Sequence, residues 1–237
     1  MKFTAPLLRG RLVKRYKRFL ADVVLDSGET VTTTCPNTGS MIGLLVPGST
    51  VWLSQSDSPT RKFKHTWELV EAQHGEHRLL VGINTNHPNK LVTEAIEAGL
   101  IRELKGYSGL RREVKYGRNS RIDLLLEDVK KAPCYVEIKN VHMMRNLGRA
   151  EFPDSVTERG AKHLAEMSDM VAAGHRAVML YLIQMANPAS FELARDIDPA
   201  YAVAFDAARS AGVEAIAYCC RLTPDEIVID RRVKFKT

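Results

Sequence analysis

The sequence predicts a mixed α/β chain (α+β overall), with a small β-barrel in its N-terminal third and a helix-covered sheet beyond it. Three observations lead there. Residues 1 to about 82 hold short strand-like runs broken by turn residues. Asn84-Thr85-Asn86-His87-Pro88-Asn89 is a polar, proline-containing break. Beyond it, amphipathic helical segments alternate with apolar runs, the pattern of a sheet covered by helices. The expected division is 1–83 and 84–237, and 237 residues with 45% hydrophobic content suit two modest domains with real cores.

In the first part, Leu7 to Tyr16 reads as a strand. Phe19 to Leu25 and Glu29 to Thr34 read as a hairpin around Asp26-Ser27-Gly28. The stretch from Cys35 to Gly43 is rich in turn formers and predicts a turn leading into a short helix. Strands resume at Ser49 to Ser54, after Pro47-Gly48, and at Lys64 to Ala72. Three strands, a short helix and two strands is the order of an OB-like barrel, a frequent oligonucleotide binder. An SH3-like barrel is the competing reading.

In the second part, Lys90 to Leu100 predicts a helix. Ser120 to Glu127 and Tyr135 to Val141 predict strands. Ser155 to Ala173 predicts a longer helix, opened by a Ser155/Glu158 capping box and stopped at Gly174. Its apolar face carries Val156, Leu164, Met167 and Met170, with Arg159, Lys162, His163 and Glu166 off it. Ala177 to Met185 is almost wholly apolar, as a central strand buried on both faces would be. Asp198-Pro199 caps a further helix that Gly212 closes. Val213 to Arg221 and Ile227 to Phe235 finish the chain as strands.

Composition narrows the function classes. The formal charge is +6 and the sequence pI is about 9.2, which suits a polyanionic partner. The N-terminus lacks the apolar region of a secretory signal, and no apolar run reaches membrane-spanning length. Cys35, Cys134, Cys219 and Cys220 form no C-x-x-C pair, so reduced thiols and a cytoplasmic location are expected. His74 and His77 flank a Gly75-Glu76 turn rather than a zinc site. Neither a P-loop nor a Rossmann glycine pattern is present. Nothing in the sequence specifies a homo-oligomer or excludes one.

One constellation carries chemistry. Asp123 lies in the strand-like Arg121-Ile122-Asp123-Leu124, and Glu137 and Lys139 lie in Tyr135-Val136-Glu137-Ile138-Lys139-Asn140. Residues two apart on a strand share a face, so Glu137 and Lys139 project together, and Asp123 joins them if the strands pair. Two carboxylates make an oxygen site suited to Mg²⁺ or Mn²⁺, and Lys139 can position an attacking water or stabilise the transition state. The pattern resembles the PD-(D/E)xK phosphodiesterase superfamily, with Ile122 where proline usually precedes the aspartate. That resemblance implies a further acidic residue on the preceding helix, for which Glu94 is preferred over Glu97. It also implies that the helix bearing Arg159, Lys162 and His163 borders the scissile phosphate. Arg9, Arg11, Lys14, Arg15, Lys17 and Arg18 put six cations into ten positions, with Tyr16 and Phe19 among them, a composition suited to backbone contact and base stacking.

The chain as a whole resembles the sugar fermentation stimulation protein A family. The resemblance rests on Pro6-Leu7-Leu8-Arg9-Gly10, Arg15-Tyr16-Lys17-Arg18-Phe19-Leu20-Ala21-Asp22, Cys35-Pro36-Asn37-Thr38-Gly39-Ser40-Met41, Val136-Glu137-Ile138-Lys139-Asn140-Val141 and the run from Phe152 to Leu164. Thr34 and Ala161 depart from the family pattern. The resemblance implies an OB-like barrel, a nuclease-like C-terminal domain, sequence-non-specific DNA binding and a regulatory role in sugar (maltose) metabolism. Two readings of function follow: a Mg²⁺-dependent nuclease acting on DNA, or a catalytically silent DNA-binding regulator on the same fold. RNA is the alternative substrate, since an OB-like barrel does not itself choose the sugar.

Overall fold

Trp67, Leu12, Leu53 and Val23 are fully or almost fully buried, and they fill the interior around which the N-terminal strands close. In the computed structural model, which describes residues 1–117 and 120–236, these strands are β1 (Leu8–Tyr16), β2 (Leu20–Leu25), β3 (Thr30–Thr34), β4 (Thr50–Gln55), β5 (His65–His74) and β6 (His77–Gly82). They pair in the order β3-β2-β1-β4-β5-β6. A short parallel pairing, Thr33 with His65 and Thr34 with Thr66, closes β1 to β5 into a barrel. Gly10 is needed where β1 crosses β2, because a Cβ there would lie 2.6 Å from the Val24 carbonyl oxygen. The expected helix between β3 and β4 is not formed. Residues 35–49 run as turns and bends instead, held by side chains from elsewhere. β6 follows the expected turn at Gly75-Glu76, but its strand was not anticipated.

Beyond the barrel come α1 (Pro88–Glu97), β7 (Gly109–Tyr116), β8 (Ser120–Asp128), β9 (Lys131–Val141), β10 (Met143–Asn146), β11 (Arg149–Phe152), α2 (Glu158–Ala172), β12 (Arg176–Ile183), β13 (Ser190–Leu193), α3 (Pro199–Ser210), β14 (Glu214–Leu222), β15 (Ile227–Arg232) and β16 (Lys234–Lys236). The larger sheet has the order β15-β14-β12-β9-β8-β7, with β9, β12 and β14 parallel. β12 is central and buried from Ala177 to Ile183, as its uninterrupted apolar run requires. α1 covers one face through Leu91, Val92 and Ala95. On the other, α2 and α3 close over a cluster containing Tyr181, Tyr201 and Phe205, where the two tyrosine hydroxyls share a hydrogen bond of 2.6 Å. β10, β11, β13 and β16 form a second, smaller sheet.

Two features of α2 differ from expectation. Its N-cap is Thr157, not Ser155, and the Thr157 hydroxyl accepts from the Gly160 amide at 3.1 Å. The cap is fixed from outside the helix, because the Thr157 amide donates to Asp198 Oδ2 at 2.7 Å. His163 and Glu166, expected on the polar side, are buried at 3% and 5% exposure. They flank Leu164 and Met167 and are drawn in against the sheet.

The barrel is seated on the second part by backbone and side-chain bonds. The Gly82 amide donates to the Gln184 carbonyl at 2.8 Å, and a Cβ at Gly82 would lie 2.5 Å from Gln184 Oε1. The Met41 amide donates to Asp154 Oδ2 at 2.8 Å, and His142 Nε2 stands 3.1 Å from the same oxygen.

Candidate active site

The antiparallel register of β8 and β9 sets Leu124 opposite Val136, so the adjoining position brings Asp123 beside Glu137. The Asp123 carboxylate accepts the Ile138 amide at 2.7 Å and the Asn89 side-chain amide at 3.0 Å. Val136 and Ile138 pack with the α1 side of the sheet, which turns Glu137 and Lys139 toward α2. Lys139 Nζ donates to Glu137 Oε1 at 2.7 Å. His163 Nδ1 is hydrogen-bonded to the same oxygen. Its Nε2 accepts from Arg159 Nε at 3.4 Å, so the imidazole presents its Nδ1 proton to Glu137. Glu137 is 3% exposed, and its second oxygen, Oε2, has no hydrogen-bond partner. These groups line an open cleft of about 480 Å³, with Thr85, Arg112 and Glu113 at its walls.

The two carboxylates are shifted in opposite directions. Burial raises Asp123, the charge of Glu137 raises it further, and its hydrogen bonds only partly offset this, leaving it pushed up to about 6. Burial also works against Glu137, but the hydrogen bond from His163 and the charge of Lys139 outweigh it and hold Glu137 below the ordinary carboxylate range. A buried carboxylate oxygen without a donor, next to a second carboxylate that resists ionising beside it, is a local excess of negative charge that a small cation relieves. The donors are hard oxygens, which fit Mg²⁺ or Mn²⁺. Among the described residues no three ligand-type side chains converge on one point. Mg²⁺ needs only one or two protein carboxylates, since water and phosphate oxygens complete its shell. Asp123 and Glu137 are the residues that would hold it.

The structure brings Asp123, Glu137, Lys139, Arg159 and His163 together and places the other candidates elsewhere. Glu94 is not in the cleft: its carboxylate pairs with the Met1 ammonium at 2.8 Å and with Lys90 at 3.9 Å. α1 begins at Pro88, so its first turn faces the cleft, and Asn89 stands where an acidic residue was expected. Lys162 is half-exposed, 3.8 Å from Glu166, and does not line the cleft. On the barrel, Arg9 pairs with Asp26 at 2.6 Å, Arg11 donates to Thr50 at 2.8 Å, and Lys14 lies 3.8 Å from Asp22. Arg15 donates to the Asn37 and Gly39 carbonyls at 2.8 and 3.0 Å, and Arg18 to the Thr38 carbonyl at 2.7 Å. These two brace the 35–41 segment, which explains why it needs no helix. Lys17 is exposed at the β1–β2 turn, and Phe19 beside it is 51% exposed rather than in the barrel core.

Sequence reasoning missed Glu113, Asn89 and Arg112. Asn89 donates to Glu113 Oε1 at 3.1 Å, so this third carboxylate stands beside Asp123. The available signal was the alternation of Leu110, Val114 and Tyr116 with charged residues, which marks β7 as a strand paired with β8.

A family model described as the SfsA N-terminal OB domain matches residues 13–83, and one described as the sugar fermentation stimulation protein RE domain matches residues 86–226. A sugar fermentation stimulation protein homolog of Azorhizobium caulinodans is 58% identical over 229 residues, covering 97% of each chain. Its counterpart in Rhodospirillum centenum is 57% identical over 234 residues, covering 99% of each. Among solved structures, Pyrococcus furiosus SfsA in complex with Ca²⁺ superposes with a TM-score of 0.88 at 26% identity, covering 100% of this chain and 98% of that one. The chain therefore belongs to the sugar fermentation stimulation protein family.

Proposed function

We propose that this protein binds DNA without sequence preference and hydrolyses its phosphodiester bonds with Mg²⁺ or Mn²⁺ held by Asp123 and Glu137. The observation that carries the reading is the unpartnered, buried Glu137 Oε2 beside Asp123 and Lys139 in an open, cation-walled cleft. The Ca²⁺ in the P. furiosus relative supports a place for an oxygen-bound divalent ion in this family. When bound, such an ion lowers the pKa of a water and neutralises charge developing on a phosphate oxygen. The chain's own residues do the rest. Lys139 is steered by Glu137 to the cleft side of β9, where its ammonium orients the attacking water or the phosphate. His163 holds Glu137 from behind, and Arg159, hydrogen-bonded to His163, carries positive charge at the cleft wall. Arg112 supplies a cation on the opposite wall for a neighbouring phosphate.

The barrel supplies the approach. Its exposed tip, Lys17 and Phe19, is braced through Arg15 and Arg18 to the 35–41 segment. That segment touches the cleft wall where the Thr85 hydroxyl donates to the Pro36 carbonyl at 2.5 Å. A nucleic-acid strand lying on the tip is thereby led toward Lys139. In this reading the sugar (maltose) effect behind the family's name is exerted through DNA. Titrating labelled single- and double-stranded DNA and RNA at several salt concentrations tests the binding half: affinity for DNA falls steeply as salt rises, independent of sequence. Tighter binding to RNA would move the substrate class, and salt-insensitive binding would contradict the reading.

A further inference from the structure

Most cations of β1 are engaged with the protein itself, and outward-facing positive charge gathers elsewhere. In the larger sheet β15 lies at the edge opposite β7, with β14 and β12 between it and the β9 strand of the cleft. Two adjoining hollows flank this edge and share Arg232 as a wall. Their lining holds Arg102, Lys105, Arg209, Arg231, Arg232 and Lys234, all exposed, against two carboxylates, Glu103 and Asp230. Glu103 is already engaged: it accepts from the Tyr218 hydroxyl at 2.6 Å and pairs with Arg232 at 3.0 Å. Asp230 lies 4.0 Å from Arg231. Among the described residues, Arg102, Lys105 and Lys234 make no ion pair.

Charge on an edge strand ordinarily keeps other strands from pairing with it. Arg231 and Arg232, on β15 itself, meet that need. The other cations come from elsewhere: Arg102 from the helical turn Arg102–Leu104, Lys105 from the residue after it, Arg209 from α3 and Lys234 from β16. Separate elements that turn their cations to one edge make a surface for a polyanion. The planar fork of arginine suits a phosphate, which it can hold through two parallel hydrogen bonds. We infer that this edge is a second nucleic-acid contact, which holds the phosphate backbone of a segment other than the one in the cleft. The inference rests on the DNA-binding half of the reading above and adds a second surface to it. Three strand spacings, about 14 Å, separate β15 from β9 across the sheet. The two segments therefore lie at opposite edges, and one chain joins them.

The test counts short duplexes bound per chain on the full-length protein, by sedimentation with a labelled duplex about 27 Å long, or about eight base pairs. A chelator is present so that no strand is cut. With duplex in excess, wild type carries two, and the triple variant Arg102→Glu, Lys105→Glu, Lys234→Glu carries one. The three side chains are exposed and outside the cleft, and a thermal melt checks that the variant is folded. One duplex on the wild type overturns the second contact and leaves DNA binding standing. Two on both proteins overturns its assignment to this edge. Two on the wild type with none on the variant shows that the contacts are not separate, and overturns it as well. No duplex on the wild type overturns both the inference and the reading it rests on.

Discussion

Glu137 receives two donors on one oxygen and none on the other, while its neighbour Asp123 is driven toward neutrality by burial and by Glu137's charge. Such a pair costs folding free energy when no cation is bound. Replacing Asp123 by Asn removes the repulsion and keeps an acceptor for the Ile138 amide. The metal-free Asp123→Asn protein is therefore more stable than wild type at pH 7.5, by about 3 kcal/mol for a shift of this size, and melts at a higher temperature. A lower melting temperature would show that the carboxylate is not under electrostatic strain. The triad itself was legible because carboxylate, carboxylate and lysine on two strands are a pattern with a mechanism. Asn89 and Glu113 were not. Neither belongs to a motif with a mechanism, and each reaches Asp123 only because α1 starts two residues earlier than its periodicity suggests and β7 pairs beside β8.

At the level of elements, long strands and capped helices were readable, and short or charged ones were not. β12 and α3 follow from an apolar run and an Asp-Pro cap, and Asp198 does accept from the Tyr201 amide at 2.9 Å. β7 is an edge strand with charges at Arg111, Arg112, Glu113 and Lys115, a composition that protects an edge and hides a strand. β10, β11 and β13 have four residues each, too few for a period to declare itself. The start of α2 was misplaced because Ser155 and Glu158 imitate a capping box while a tertiary contact from Asp198 selects Thr157. Thr157→Ala should accordingly cost about 1 kcal/mol in chemical denaturation, and Ser155→Ala less than about 0.5 kcal/mol; the reverse order would return the cap to Ser155. The 35–41 segment has its own pH response. Burial raises Asp154, but the hydrogen bond and charge of His142 and the Met41 amide outweigh it and hold Asp154 below the ordinary value. A lowered carboxylate gives stability that is full above the unfolded-state value, near pH 4 for an aspartate, and lost as pH falls through the folded-state value. Denaturation midpoints should fall on acidification below about pH 4, and Asp154→Asn should flatten that slope; an unchanged slope would remove Asp154 from the account.

Across the whole molecule, the barrel and the larger sheet are joined through Gly82 and Gln184 and through the 35–41 segment, whose Pro36 carbonyl accepts from Thr85 at the cleft wall. The joint is tight at Gly82, where any side chain would strike Gln184. The order of the barrel strands and the sheet-with-helices pattern were legible from the sequence because turns and apolar runs encode them locally. The bracing of the 35–41 segment was not, since it depends on Arg15 and Arg18 turning inward to carbonyls instead of outward to solvent. Most of the cations counted along β1 are engaged with the protein itself. Arg159→Ala should therefore weaken DNA binding uniformly across sequences and lower the salt slope by about 1, whereas Arg9→Ala should leave both nearly unchanged. Phe19→Ala should weaken single-stranded DNA more than double-stranded, by about 1–3 kcal/mol if it stacks on a base.

The central claim is that this cleft cuts phosphodiester bonds, and a cleavage assay of wild type beside Lys139→Ala tests it most directly. Labelled single- and double-stranded DNA and RNA are incubated with Mg²⁺ or Mn²⁺, and binding is measured on the same samples. Metal-dependent cleavage of DNA by the wild type, lost in Lys139→Ala with binding retained, is the expected result. Binding without cleavage of any substrate by the wild type, or equal cleavage by the variant, would contradict it.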